Sequence, residues 1–306
     1  MKQVALPRYH AFDLLIAGYS VFMAALLLAV GQPIGSYLNE IIIYSGTALT
    51  AILIPRYVNG SRGGLHRFVR VLYPAVLFSL FYQLTGGTMF LFFDHFLDPG
   101  LTQFEHMVMG INSTLYIDQH LLNVWLNELF SFCYFCYYAM IPGFLWLCYA
   151  KRHDDIIQSF WTVAGLTFFP SYLLFFSFPI EGPRWFFADL FQHDVEGFIF
   201  RPLVNLVIDN GAVRGGCMPS THVAIALVIL IFCRRHFPRL YRPLLAVNVG
   251  LAIGTVWGRF HYISDVIVGT AIALAAFLVF DRLQVRTASA DESYNYSVDP
   301  RTEHVA

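Results

Sequence analysis

The sequence predicts an all-α protein: a polytopic membrane helix bundle of about eight transmembrane helices. Three observations predict it. Of 306 residues, 57% are hydrophobic and only 13% charged, about half the charged share of a soluble domain. The apolar residues are bunched into long runs that lack the alternation of a water-facing helix. The basic residues fall almost wholly on one side once those runs are threaded across a membrane. A large soluble protein with buried helices is excluded, because so few polar residues do not cover a wetted surface.

A spanning helix needs about 20 mostly apolar residues. Such runs lie at 12–30, 38–54, 71–93, 125–149, 158–179, 219–235, 243–257 and 262–281. The first begins at Phe12 and has no small-residue cleavage site behind it, so it reads as a retained helix rather than a signal peptide. The seventh is short and ends in the Gly254/Gly258 region, where close packing or a break is expected. The tail from Thr287 to Ala306 is polar and is expected to be disordered.

With eight spans the termini share a side. All but four of the 19 Lys and Arg residues fall on that side, so the positive-inside rule places both termini in the cytoplasm. The exceptions are Arg184, Arg201, Arg214 and Arg259. A basic residue kept on the disfavoured side suggests an anion to be held. Arg184 and Arg259 sit beside motifs and suit that role; Arg201 and Arg214 read better as ordinary loop arginines. Two external segments are long enough to fold over a site, 94–124 and 181–218. The first carries Asp94, Asp98, Glu105 and Asp118 with no Lys or Arg, and its stretch from Phe104 to Leu126 suits a membrane interface. Asn112-Ser113-Thr114 has the form of a glycosylation sequon, which has meaning only in a secretory pathway.

Net charge is −1 and the basic residues are dispersed, so no nucleic-acid partner is expected. Of the five cysteines, Cys133, Cys136, Cys148 and Cys233 lie inside apolar runs. Cys133 and Cys136 form a C-x-x-C pair flanked by aromatics, and core packing is the better reading. Cys217 adjoins a motif but has no evident partner. No disulfide, metal or cofactor is expected.

Three clusters carry chemistry. Pro219 suits the first turn of a helix, which places Ser220 and Thr221 where free backbone N–H groups point outward and can bind an anion. His222 lies in the same turn, placed to give a proton to a leaving oxygen. A capping Ser/Thr pair beside an interfacial histidine explains the same residues equally well. His261 and Asp265 are four apart and share a face at the start of the last helix. A carboxylate on one ring nitrogen orients the imidazole and leaves the other free to attack phosphorus. A plain His–Asp bond fixing a helix end is the alternative. Arg184 follows Glu181-Gly182-Pro183, a turn that lets backbone approach a ligand, and Arg259 lies two residues before His261. Each arginine offers a planar fork suited to phosphate. All three clusters land on the external face.

Pro219-Ser220-Thr221-His222 and Arg259-Phe260-His261 with Asp265 resemble two motifs of the type 2 phosphatidic acid phosphatase (PAP2) superfamily, written P-S-G-H and S-R-x5-H-x3-D. Thr221 replaces the glycine, and one residue rather than five separates Arg259 from His261. In the first motif, K-x6-R-P, Pro183-Arg184 reverses the order and no lysine lies upstream. These departures resemble the inositol phosphorylceramide synthase, or inositolphosphotransferase-like, branch. The resemblance implies a six-helix PAP2-like catalytic membrane core over residues 71–286, preceded by two additional helices in 1–70. It implies His261 as nucleophile, Asp265 as its orienter and His222 as leaving-group acid. Arg184, Ser220, Thr221 and Arg259 would bind phosphate, with no metal. The substrate would be a membrane lipid, with water or a polyol such as inositol as acceptor. A transporter or scaffold is disfavoured, since ionisable residues gather at one face instead of deep inside the spans; Glu40 and Glu128 are the exceptions.

Overall fold

The computed structural model describes residues 9–30, 33–58 and 64–298. Twelve α-helices make up the described chain: α1 (Ala11–Val30), α2 (Leu38–Tyr57), α3 (Gly64–Thr88), α4 (Asp98–Met109), α5 (Ser113–His120), α6 (Val124–Ala150), α7 (Asp154–Ser177), α8 (Pro183–Phe186), α9 (Phe200–Gly211), α10 (Thr221–His236), α11 (Pro238–Trp257) and α12 (Ile263–Val298). The fold is all-α, as expected, and no strand occurs among the described residues. Seven helices, α1, α2, α3, α6, α7, α11 and α12, are long and apolar enough to cross a membrane.

The expected run at 219–235 is α10, which has 16 residues. At 1.5 Å per residue it reaches about 24 Å, short of the ~30 Å hydrocarbon layer. It packs against α6, α7, α11 and α12, and most of its side chains are buried. A helix so enclosed need not match the lipid thickness. It also starts inside the bundle, because its first turn forms the site described below.

α7 is the axis of the molecule, packing against α1, α3, α6, α10 and α12. It is apolar around its whole circumference, as a helix surrounded by other helices should be; Phe160, Val163, Ala164 and Phe175 are fully buried. α11 begins at Pro238, earlier than the run at 243–257 suggested, because proline is favoured in a first helical turn and apolar residues precede and follow Pro243. Its glycines set a close approach to α6: a Cβ on Gly250 would stand 2.4 Å from Cys133 Sγ, and one on Gly254 would stand 2.7 Å from the Phe130 carbonyl oxygen. Small residues at such a spacing let helix backbones pack tightly in a membrane. All five cysteines are free thiols.

α1 and α2 pack on each other, and α1 also packs on α7. A buried ion pair fastens α1 to α3: Arg70 Nη2 lies 2.9 Å from Asp13 Oδ2, and the Tyr73 hydroxyl donates to the same carboxylate. α3 starts at Gly64, so the expected core boundary at residue 71 falls inside that helix. At the other end, α12 continues to Val298. Residues 287–298, expected to be disordered, extend that helix, since adding residues to a formed helix costs little compared with nucleating one. Residues 299–306 of the expected tail lie outside the described residues.

Helices α4, α5, α8 and α9 form a cap on one end of the bundle. That end holds the starts of α6, α10 and α12 and the ends of α3, α7 and α11. Beneath the cap a second, smaller apolar cluster, Leu101, Ile180, Phe187, Cys217 and Tyr262, supports the loops.

Candidate active site

α10 opens at Ser220, whose Oγ caps the helix by accepting from Val223 N at 3.5 Å. Pro219 sits one residue before this cap, not in the first turn as expected, and Met218-Pro219 is cis. Ser220 is fully buried, and its N–H donates to the Asp265 carbonyl at 3.0 Å. That contact ties the start of α10 to α12. Gly269 permits it, since a Cβ there would stand 2.4 Å from the Ser220 carbonyl oxygen. Thr221 is buried in the first turn. His222 follows, its Nε2 lying 3.2 Å from the Tyr134 hydroxyl and its Nδ1 buried without a partner.

His261 lies in the α11–α12 connection. This connection is wound tightly on the end of α11: Phe260 N and His261 N both donate to the Thr255 carbonyl, at 2.9 and 3.0 Å. Arg259 takes a left-handed backbone, φ 66°, a conformation that is rare for a residue with a Cβ and recurs at functional sites. His261 Nδ1 lies 3.3 Å from Asp265 Oδ2. The same oxygen accepts the Tyr262 N–H at 2.8 Å and the Cys217 thiol at 2.9 Å. With Nδ1 engaged, Nε2 is the nitrogen left for a substrate. The rings of His222 and His261 have centroids 6.0 Å apart, so the two sequence clusters meet.

Arg184, Arg201 and Arg259 lie in the cap and the α11–α12 connection. Arg184 and Arg259 line one cavity of about 290 Å³ with Phe191, Gln192, His193 and Asp194. Arg184 pairs with Asp209 at 2.5 Å, while its Nη1 is buried without a partner. Arg259 pairs with Asp118 at 2.6 Å and lies 3.7 Å from the centre of the Phe191 ring. Arg201, expected to be an ordinary loop residue, is buried. Its Nη1 donates to the Gly258 carbonyl at 3.3 Å, and its Nε has no partner. Burial, and then the charges of Arg259 and Arg184, push its guanidinium below the ordinary value. Arg184 and Arg201 thus each keep a buried N–H group unused, an uncommon state for a buried donor. Arg201-Pro202 also has the R-P order that Pro183-Arg184 reverses, a sequence signal that the reading of Arg201 as a loop residue passed over. Arg214, by contrast, is exposed and pairs with Glu181, as a loop arginine would.

Acidic residues of the cap hold these loops by their backbone. Asp98 accepts from Glu181 N at 2.7 Å, Gly182 N at 2.9 Å and the Tyr262 hydroxyl at 2.9 Å. Burial pushes its carboxyl up, against those three bonds. Gly182 has φ 99°, and a Cβ there would stand 2.9 Å from Cys217 Sγ, so only glycine fits the turn before Arg184. Glu105 accepts from Ser264 N at 2.7 Å at the head of α12. Asp118 accepts from Gln192 N at 2.8 Å besides holding Arg259. Glu128 accepts from the backbone N–H groups of Phe198, Ile199, Phe200 and Arg201, a carboxylate where α9 begins. Asn112 proves to be the N-cap of α5, bonded to Leu115 N at 3.2 Å. That cap gives the sequon a structural reason.

Cys217, His261 and Asp265 offer three ligand atoms within 4.8 Å of one another. Burial, with the Asp265 carboxylate beside it, pushes the Cys217 thiol well up, so it keeps its proton and donates it. Asp265 Oδ2 accepts from that thiol and from Tyr262 N, while Oδ1 is buried without a partner.

The sequence model of the PAP2 superfamily matches residues 101–279, from the start of the cap to α12. No curated protein and no solved structure matches the chain.

Proposed function

We propose, because this chain belongs to the PAP2 superfamily, that it is a membrane enzyme of phosphatase type that moves the phosphoryl group of a lipid through a phosphohistidine. The observation that carries the proposal is the pair of imidazoles 6.0 Å apart, one set by Asp265, beside buried guanidinium N–H groups with no partner.

In the first step His261 Nε2 attacks phosphorus and the bond from phosphorus to the leaving oxygen breaks. His222 gives that oxygen its proton. Asp265 holds the His261 ring by Nδ1 and stabilises its cationic form. Arg184, Arg201 and Arg259 take the phosphate oxygens, with the first turn of α10 at Ser220 and Thr221 behind them. In the second step an acceptor hydroxyl attacks the phosphohistidine, its proton passes to His222, and the bond from nitrogen to phosphorus breaks. Water as acceptor makes the enzyme a lipid phosphatase. A polyol such as inositol, the second reading, makes it a phosphotransferase; Gln192, His193 and Asp194 beside Arg184 and Arg259 favour a hydroxyl-rich acceptor there. The chemistry requires no metal. Positive-inside asymmetry supports a site on the external face with both termini in the cytoplasm.

The test is incubation of the purified protein with a panel of labelled phospholipids, with and without inositol, followed by product identification. Release of phosphate, or a phosphorylated polyol, is expected from the wild type and absent from His261→Ala. Undiminished turnover in His261→Ala would rule out the phosphohistidine.

A further inference from the structure

An apolar cavity that reaches the site lies between α3, α6 and α7. Its volume is about 450 Å³, and its lining runs from His222 past Tyr82 and Ile141 to Ala75, Phe168 and Trp161. α3 and α6 each pack on α7 but hardly on each other, so the gap between them opens sideways, where the lipid would be. α9 crosses its outer end. That helix packs on α6 and is tied to α3 by Gln83 Nε2 donating to the Gly211 carbonyl at 3.0 Å and by Val213 N donating to the Tyr82 hydroxyl at 2.9 Å.

We propose that this cavity takes one hydrocarbon chain of the lipid substrate, entering sideways between α3 and α6, and that Ala75, Phe168 and Trp161 at its inner end limit the chain length. The inference rests on the lipid-phosphate reading for the identity of the headgroup, but not for the presence of the chain. Three features fix the occupant. The cavity ends at His222, whose Nδ1 is buried and unpartnered, so a chain in it brings its headgroup to the histidines. From Trp161 to Tyr172 it extends about 16 Å along α7 at 1.5 Å per residue, half of the ~30 Å hydrocarbon layer, the depth of one leaflet. Its lining is mostly apolar, with Ala75, Phe78, Ile141, Pro142, Trp161 and Phe168, which suits a hydrocarbon chain and not a polar ligand.

The test uses full-length protein in nanodiscs containing a phosphatidic acid with a diazirine at the end of one acyl chain. After illumination, adducts are mapped by mass spectrometry. Adducts are expected at the inner end, on Phe168, Trp161 and their neighbours on α3. They should be lost in Ala75→Phe, which fills that end, and retained in Val76→Phe, whose position faces outward. Should Ala75→Phe fail to accumulate, Ser79→Phe, at an exposed position on the rim, makes the same test. Adducts only on outward faces such as those of α1 and α12, or adducts undiminished by both filling variants, would overturn the inference. Because labelling needs no turnover, the two readings separate. Cavity adducts in a protein that hydrolyses no phosphate ester would leave the chain site standing and remove the phosphoryl-transfer reading. Lipid turnover without cavity adducts would do the reverse.

Discussion

Arg201 carries the sharpest prediction at the scale of single residues. Its guanidinium is buried, uses one N–H on a carbonyl and keeps Nε unused beside two other arginines. Arg201→Lys retains a charge but not the planar fork. It is expected to lower kcat/KM on a lipid phosphate by about 10²-fold, the usual cost of one lost donor to transition-state charge. Vanadate mimics five-coordinate phosphorus, so it should inhibit the wild type without any divalent metal. Inhibition should weaken in both Arg201→Lys and Arg259→Lys, and a chelator should change nothing. Activity that disappears on chelation and returns with a divalent cation would contradict this. Cys217 supplies an independent check on the dyad. Its thiol is 5% exposed and held protonated by burial and Asp265. Iodoacetamide at neutral pH should leave it unmodified in the folded protein and label it after denaturation. Rapid labelling of the native protein would mean that Cys217 does not donate to Asp265.

At the scale of elements, the cap works through carboxylates bonded to backbone. Glu128 receives four N–H groups at the start of α9. Glu128→Ala leaves them unpaired and should cost about 1–2 kcal/mol of local stability, in the range of a lost helix cap. Hydrogen exchange should quicken over residues 198–211 while α7 stays protected, and activity should fall because Arg201 is no longer positioned. Unchanged exchange in α9 would show that the helix is held by its packing on α6 alone.

For the whole molecule, topology and assembly are the testable quantities. Arg214 is exposed at the site end of the bundle. In a variant whose native cysteines are replaced, Arg214→Cys should react with an impermeant thiol reagent from outside the cell, while a reporter at the C-terminus stays cytoplasmic. Labelling only after the membrane is opened would invert the orientation. The Asp13–Arg70 pair joins the N-terminal helices to α3 with both side chains buried. Removing one partner of such a pair strands a buried charge and typically costs ~3–5 kcal/mol. Asp13→Ala should therefore lower the Tm strongly. Asp13→Ala with Arg70→Met should recover most of the loss, because no buried charge is left.

The sequence by itself determined the all-α bundle, the approximate place of each apolar run, and that His222, His261 and Asp265 come to one end of the bundle. These features are local: a run of about 20 apolar residues has one cheap way to satisfy its backbone in a membrane, and a histidine four residues from an aspartate shares a helix face with it. Helix ends were less legible, because Gly64 and Pro238 begin helices whose first turns are more polar than their centres. What only the tertiary structure decided is which distant residues meet. Arg201 looked like any loop arginine, yet Glu128 and Gly258 hold it beside Arg184 and Arg259. Asp98, Glu105 and Asp118 looked like the acidic side of a surface loop, yet each is bonded to the backbone of a site segment far along the chain. Cys217 looked unpartnered, yet it meets an aspartate 48 residues on. Hydrogen bonds between a side chain and a remote backbone leave no period or spacing in a sequence, so burial and the unpaired N–H groups reveal them only once the helices are packed.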